Sequence, residues 1–142
     1  AKLWLVGRMI PERFVELAYG RSDIEITESI EDARDAYGSA SLMVTPIRSS
    51  GGTRLKVLEA MAAGLPIVST TNGIAGLGLK PGVHALVSDS GKGMANLAIN
   101  LLQDHKLRKK IGKAGKSFVK ENYDWKEVVK LHDEIYKKVL KK

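Results

Sequence analysis

Short apolar runs alternate with helical patterns along most of this chain, and that alternation constrains its fold more than any other feature. Leu3-Trp4-Leu5-Val6-Gly7, Ile24–Thr27, Leu42-Met43-Val44-Thr45-Pro46, Pro66-Ile67-Val68-Ser69-Thr70 and Ala85-Leu86-Val87 are strand-length runs, apolar on both faces. Strands of that kind belong in a parallel sheet covered on both sides. The segments between them read as helices over Pro11–Gly20, Asp32–Gly38, Thr53–Ala63 and Gly93–Gln103. Pro11 suits a first helical turn and Gly20 a helix C-cap, while Gly64 and Pro66 stop the third helix. Asn72-Gly73 reads as a turn. Strand and helix recur about every 20 residues, the pattern of an α/β fold with an open parallel sheet and helices on both faces. No internal repeat is evident.

The tail departs from this pattern. Two successive helices follow with no strand between them. Leu107, Ile111, Ala114 and Phe118 share one face of the first; Trp125, Val128, Val129, His132, Ile135, Tyr136 and Val139 share one face of the second. A stripe that long must be covered, by residues 1–104 or by a domain outside this chain. His132 on that stripe is expected to be packed, and His84 to shape the cleft. Charge divides at the same place. Up to Asp104 there are ten basic and eleven acidic residues; from His105 there are thirteen and five, so the net +7 belongs to the tail. Solvated lysine faces explain this, and so would contact with an anionic membrane surface or an acidic partner. Nucleic acid is not expected, since aromatic residues make up 6% of the chain and no aromatic platform interleaves with the charges. The chain has 142 residues and no cysteine, which excludes disulfides and thiolate metal sites and suits a reducing cytoplasm. Because it opens on a strand-like run, no signal peptide is expected, and it holds no apolar run of spanning length. A cytoplasmic protein, at most peripheral at the inner membrane face, is expected.

Ligands of open parallel sheets bind where strands end at their carboxyl side. The loop Pro46-Ile47-Arg48-Ser49-Ser50-Gly51-Gly52-Thr53 leaves such an end and feeds a helix. Its glycines, hydroxyls and helix N-terminus suit an anion, and Arg48, Arg54 and Lys56 add positive charge. From the spacing alone, an ordinary glycine-rich turn with Thr53 as N-cap is the plainer reading. A cation in a first turn opposes the helix dipole, so Arg54 is expected to add nothing to the stability of the empty protein. Glu59 stands in Leu55-Lys56-Val57-Leu58-Glu59-Ala60-Met61-Ala62-Ala63, otherwise almost wholly small or apolar. It is either on a narrow exposed strip or buried with a partner. No cluster of His, Asp or Glu has metal-ligand spacing.

The run Gly51-Gly52-Thr53-Arg54-Leu55-Lys56-Val57-Leu58-Glu59-Ala60-Met61-Ala62-Ala63-Gly64-Leu65-Pro66-Ile67-Val68 resembles the hallmark segment of the retaining group 1 glycosyltransferases. Ala36-Tyr37-Gly38-Ser39-Ala40, Gly82-Val83-His84-Ala85-Leu86-Val87, Leu107–Gly115 and Tyr123-Asp124-Trp125 resemble flanking parts of the same family. The resemblance implies one half of a GT-B enzyme. Residues 1–104 would form a Rossmann-like donor-binding domain lacking its first strand, and 105–142 would be C-terminal helices packing on it or on an absent N-terminal acceptor domain. It implies that Glu59 binds the donor ribose, that Ser50, Gly51, Gly52, Thr53 and Leu55 hold the diphosphate and sugar, and that Ile30 lies beside the base. Arg54 and Lys56 would neutralise the departing diphosphate. The donor would be a nucleoside-diphosphate sugar, used without metal or other cofactor, for hexosyl transfer to a hydroxyl acceptor in polysaccharide or glycolipid biosynthesis.

Three departures qualify this. Gly51 stands where the family often has a second glutamate, and Arg54 where it often has glycine. The family's domain normally begins one strand earlier, so its basic loop after that strand is expected to lie ahead of Ala1. A nucleotide-sugar epimerase fits the central segment less well. A non-catalytic α/β module docking through its basic tail is the rival of another class.

Overall fold

The structure, a computed structural model, describes residues 1–49 and 52–140. Its elements run β1 (Leu3–Val6), α1 (Glu12–Ala18), β2 (Ile24–Thr27), α2 (Ala33–Ser39), β3 (Met43–Thr45), α3 (Leu55–Ala62), β4 (Ile67–Ser69), α4 (Thr71–Ile74), β5 (Leu86–Val87), α5 (Gly91–Gln103), α6 (His105–Tyr123) and α7 (Trp125–Leu140). The fold is α/β with parallel strand pairing throughout, as the alternation requires. The expected single sheet is instead two, β1-β2 and β3-β4-β5. Here the ladder of β1 ends at β2, and β3 bonds only β4. Two compact units result, Ala1–Ala36 and the remainder from Tyr37.

In the first unit, β1 and β2 pair in register from Leu3 opposite Ile24 to Val6 opposite Thr27. The Trp4 indole donates to the Thr27 hydroxyl at 2.8 Å, tying the strands through their side chains. Gly20, with φ +71°, reverses the chain between α1 and β2, in the left-handed conformation that favours glycine. Ile24 is buried, while Leu3, Val6, Val15 and Leu17 are exposed.

The second unit carries the core. β4 is its central strand, and Ile67 and Val68 are fully buried on opposite faces, as the two-residue period of a strand dictates. Ile67 joins Val57, Leu58, Ala60 and Met61 of α3; Val68 joins Met94 and Leu101 of α5 and Ile111 of α6. α3 ends in a Schellman motif. Gly64 at φ +86° donates to the Met61 carbonyl, and Leu65 donates to that of Ala60, each bond 2.8–2.9 Å. α6 then lies against that end. A Cβ on Gly112 would stand 2.3 Å from the Gly64 carbonyl oxygen, and one on Gly115 3.0 Å from the Met61 methyl. The buried face of α6 is therefore Ile111, Gly112, Gly115 and Val119. Ala114 and Phe118 flank it rather than centre it, because only glycine permits the helices to approach so closely.

Asp104 ends α5 and caps α6, its carboxylate accepting from the Leu107 amide at 2.9 Å. α7 packs against α6. Its apolar stripe is open: Trp125 is 81% exposed, Ile135 59% and Tyr136 63%. His132 is exposed as well, not packed as its place on an apolar face suggested. No helix among the described residues is long and apolar enough to cross a membrane.

Candidate functional site

The carboxyl ends of β3, β4 and β5 release three segments: residues 46–54, the start of α4, and residues 88–90. Side chains fasten them together. The Thr70 hydroxyl donates to the Ile47 carbonyl in a short hydrogen bond and accepts from the Gly73 amide at 3.0 Å. The Asn72 amide group donates to the Arg48 carbonyl at 2.7 Å. The Asp89 carboxylate accepts from both the backbone amide and the hydroxyl of Thr71, each at 2.8 Å. Those bonds, the backbone one first, hold the Asp89 carboxyl below its ordinary pKa. Beneath the loops the Thr45 hydroxyl donates to the buried Ser69 hydroxyl at 2.8 Å.

α3 begins two residues later than the sequence suggests, and Thr53 is not its N-cap. Arg54 is: its carbonyl is the first to accept, from Val57 at 2.9 Å and from Leu58 at 3.3 Å. The Leu55 amide turns back to the Thr53 carbonyl at 2.9 Å, which closes the loop early and delays the helix. No side chain caps α3, whereas Thr70, Ser90 and Asp104 cap α4, α5 and α6. Gly52 has φ +75° and, like Thr53, is exposed. Ser50 and Gly51 lie outside the described residues. The Arg54 guanidinium donates to the carbonyls of Gly52 at 2.7 Å and Asn72 at 2.9 Å.

Leu55, Lys56 and Glu59 form one exposed strip of α3, opposite the buried Val57, Leu58, Ala60 and Met61. The helical period puts Leu55 and Glu59 on adjacent turns of the same face. Glu59 is thus on the exposed strip, and it has a partner: the Tyr37 hydroxyl donates to its Oε2 at 3.2 Å. Burial, and then this carboxylate, raise the Tyr37 pKa. Ile30 belongs to the first unit, half-buried in the loop after β2. Among the described residues no three His, Asp or Glu side chains gather to hold a metal ion.

His84 does not shape the cleft. It precedes β5, at the opposite pole of the parallel sheet from the three loops. Its ring lies 4.5 Å from that of Phe118, and its Nδ1 accepts from the Lys80 amide at 3.1 Å. Tyr37, Thr70, Asn72 and Asp89 escaped the sequence reading as members of the site. Asn72-Gly73 read only as a turn, but its place at the end of a parallel strand was a usable signal.

The chain itself is similar to known proteins. The family described as Glycosyl transferases group 1 matches residues 1–104. An uncharacterised glycosyltransferase of Methanocaldococcus jannaschii is 28% identical over 123 residues, 85% of this chain and 30% of that protein. The chain therefore spans under a third of that relative's length. Among solved structures, the C-terminal domain of a group 1 family glycosyl transferase (LpcC) from Francisella tularensis is similar at a TM-score of 0.68 and 24% identity, over 80% of this chain and 60% of that one. Anabaena HepE, solved with UDP, is similar at a TM-score of 0.80 and 16% identity, over 100% of this chain and 41% of that one. The same protein has been solved with UDP-glucose, at a TM-score of 0.73 and 18% identity over 99% of this chain and 41% of that one.

Proposed function

Since this chain belongs to the group 1 glycosyl transferases, we propose that it is the donor-binding part of a retaining enzyme that moves a hexosyl group from a nucleoside diphosphate to a hydroxyl acceptor. The observation that carries this is the exposed strip of α3. Glu59 lies five residues from the uncapped N-terminus at Arg54, about 7.5 Å along the axis at the usual helical rise. That spacing matches the distance from the phosphates of a nucleoside diphosphate to its ribose. Glu59, steadied by the Tyr37 hydroxyl, would accept hydrogen bonds from the ribose. The helix N-terminus, the loop Ser50–Leu55 and the cations Arg54 and Lys56 would hold the diphosphate. They would stabilise the negative charge that grows there as the glycosidic bond breaks. No proton transfer is asked of Glu59; it binds and aligns.

The donor domain in this reading is residues 1–104, and the helices beyond are its brace and its bridge to an acceptor domain in the remainder of a longer protein. β3 is an edge strand of its sheet. In a doubly wound order the strand preceding β1 would pair with it. Calorimetric titration of the chain with UDP, GDP, ADP and their sugars tests the proposal. Weak binding of one diphosphate without any transfer is the expected outcome. Transfer to an acceptor by this chain alone would refute the need for a second domain. Absence of binding by every nucleotide would leave the docking module, which the open stripe of α7 favours.

A further inference from the structure

The first turn of α4 touches the proposed phosphate loop on both of its arms. On the incoming arm, the Thr70 hydroxyl holds the Ile47 carbonyl and the Asn72 side chain holds that of Arg48 at 2.7 Å. On the outgoing arm, the Asn72 carbonyl accepts from the Arg54 guanidinium at 2.9 Å. Asn72 is the residue that bonds both arms, its side chain on one and its main chain on the other. The turn itself is held firmly. A Cβ on Gly73 would fall 2.1 Å from the Ser69 hydroxyl, so β4 and the turn interlock without room to slide. From the β5 side, the Asp89 carboxylate grips Thr71 by two bonds of 2.8 Å. The turn is therefore anchored on two sides, and it presents a fixed donor and a fixed acceptor to the loop.

We propose that Asn72 is a positioning residue for the donor diphosphate: it sets the loop and Arg54 in place without touching the nucleotide. The inference rests on the reading of that loop as the phosphate site. Groups held in their binding geometry before a ligand arrives cost less to order when it binds, and the described arms, Ile47–Arg48 and Arg54, are the parts that the turn holds. Asn72→Ala deletes the bond to the Arg48 carbonyl and leaves the main-chain bond to Arg54. The incoming arm then loses its tie at Arg48 and keeps the one from Thr70 to Ile47, while the fold, built on the two buried clusters, is intact. Asp89→Ala loosens the same turn from its far side and is expected to act in the same direction.

The test compares UDP with uridine on the intact chain and on Asn72→Ala. UDP affinity is expected to fall five- to thirtyfold, uridine affinity to change less than twofold, and Asn122→Ala, an asparagine on α6 that also bonds a carbonyl, to change neither. A merely structural residue would weaken both ligands alike, and that result, or no loss for UDP, overturns the proposal. Hydrogen exchange supplies a measurement that needs no ligand. The Leu55 amide, bonded to the Thr53 carbonyl, is expected to exchange about tenfold faster in Asn72→Ala, with the amides of α5 and α6 unchanged. Unaltered exchange overturns the proposal whatever the nucleotide results. If the unmodified chain binds no nucleoside diphosphate, the phosphate reading of the loop is what fails, and a diphosphate role for Asn72 falls with it even when exchange responds.

Discussion

Arg54 shows how a residue's surroundings reverse its expected energetics. A cation at a helix N-terminus opposes the helix dipole and taken alone would destabilise α3 by some tenths of a kcal/mol. Here the guanidinium donates to the Gly52 and Asn72 carbonyls, which supply the negative potential that the dipole withholds. Arg54→Ala is therefore expected to lower the stability of the empty chain by about 1–2 kcal/mol, measured by urea denaturation, and to weaken UDP more than uridine. Equal loss for both ligands would separate Arg54 from the phosphates. Glu59 is exposed, so its removal is expected to spare the fold. If it holds the ribose as proposed, losing one or two charge-assisted bonds of about 1.5–3 kcal/mol each is expected to lower UDP affinity at least about tenfold. The check is a 2′,3′-dideoxynucleotide, which Glu59→Ala should bind no worse than the unmodified chain does. His84 titrates in a different sense. Burial, then Lys80, hold its pKa below the ordinary value, so the folded chain takes up its proton less readily than the unfolded one. Its stabilisation is complete above the unfolded pKa of about 6.5. It is lost as pH falls from there through the folded value, because protonated Nδ1 no longer accepts from the Lys80 amide. Thermal denaturation between pH 8 and 5 should show a shallower decline for His84→Gln than for the unmodified chain; parallel curves would sink this account.

At the scale of elements, the contact of α6 with α3 decides more than any single burial. Gly112 allows the α6 backbone to meet the Gly64 carbonyl where α3 ends. A methyl group there has nowhere to go, because the atom it meets is backbone and cannot swing aside. Gly112→Ala is expected to destabilise by about 1–3 kcal/mol, although alanine favours helix by up to about 1 kcal/mol. A rise in melting temperature would mean that the two helices are not so tightly apposed. The same glycine pair explains why the buried face of α6 is turned from the one its large apolar residues suggest. Hydrophobic periodicity sees Leu107 and Phe118 and is blind to glycine. α4 illustrates the reverse. Thr70 and Asn72-Gly73 carry a turn signature, and the Thr70 cap on the Gly73 amide converts that turn into the first turn of a short helix.

For the whole molecule, the weight of structure lies from Tyr37 to Tyr123. The Tyr123 hydroxyl donates to the Leu77 carbonyl at 3.1 Å, and α7 follows it with Trp125 81% and Val139 66% exposed. A chain ending at Asp124 is expected to melt within a few degrees of the full one, since removing a helix that buries little apolar surface removes little of the driving force. It is also expected to self-associate less, because an open stripe of that size favours aggregation. Calorimetry and light scattering on the two chains check both statements, and a collapse of the melting transition would show α7 to be part of the core.

The sequence by itself determined the alternation of elements, the parallel pairing and the family, because each is written in local residue order: runs of apolar residues, glycine and proline stops, and a contiguous segment around Glu59. Glu59 and the loop before it stood out as candidates for the same reason. What only the tertiary structure decided is which distant residues meet. Tyr37 reaches Glu59, Asn72 reaches Arg48 and Arg54, Asp89 reaches Thr71, and His84 lies at the pole away from the three loops. Each pairing joins residues on different elements, and the two-residue and 3.6-residue periods are silent about contacts between elements. Such contacts are set by how strands stack and how closely helices approach, which is a property of packing rather than of order along the chain.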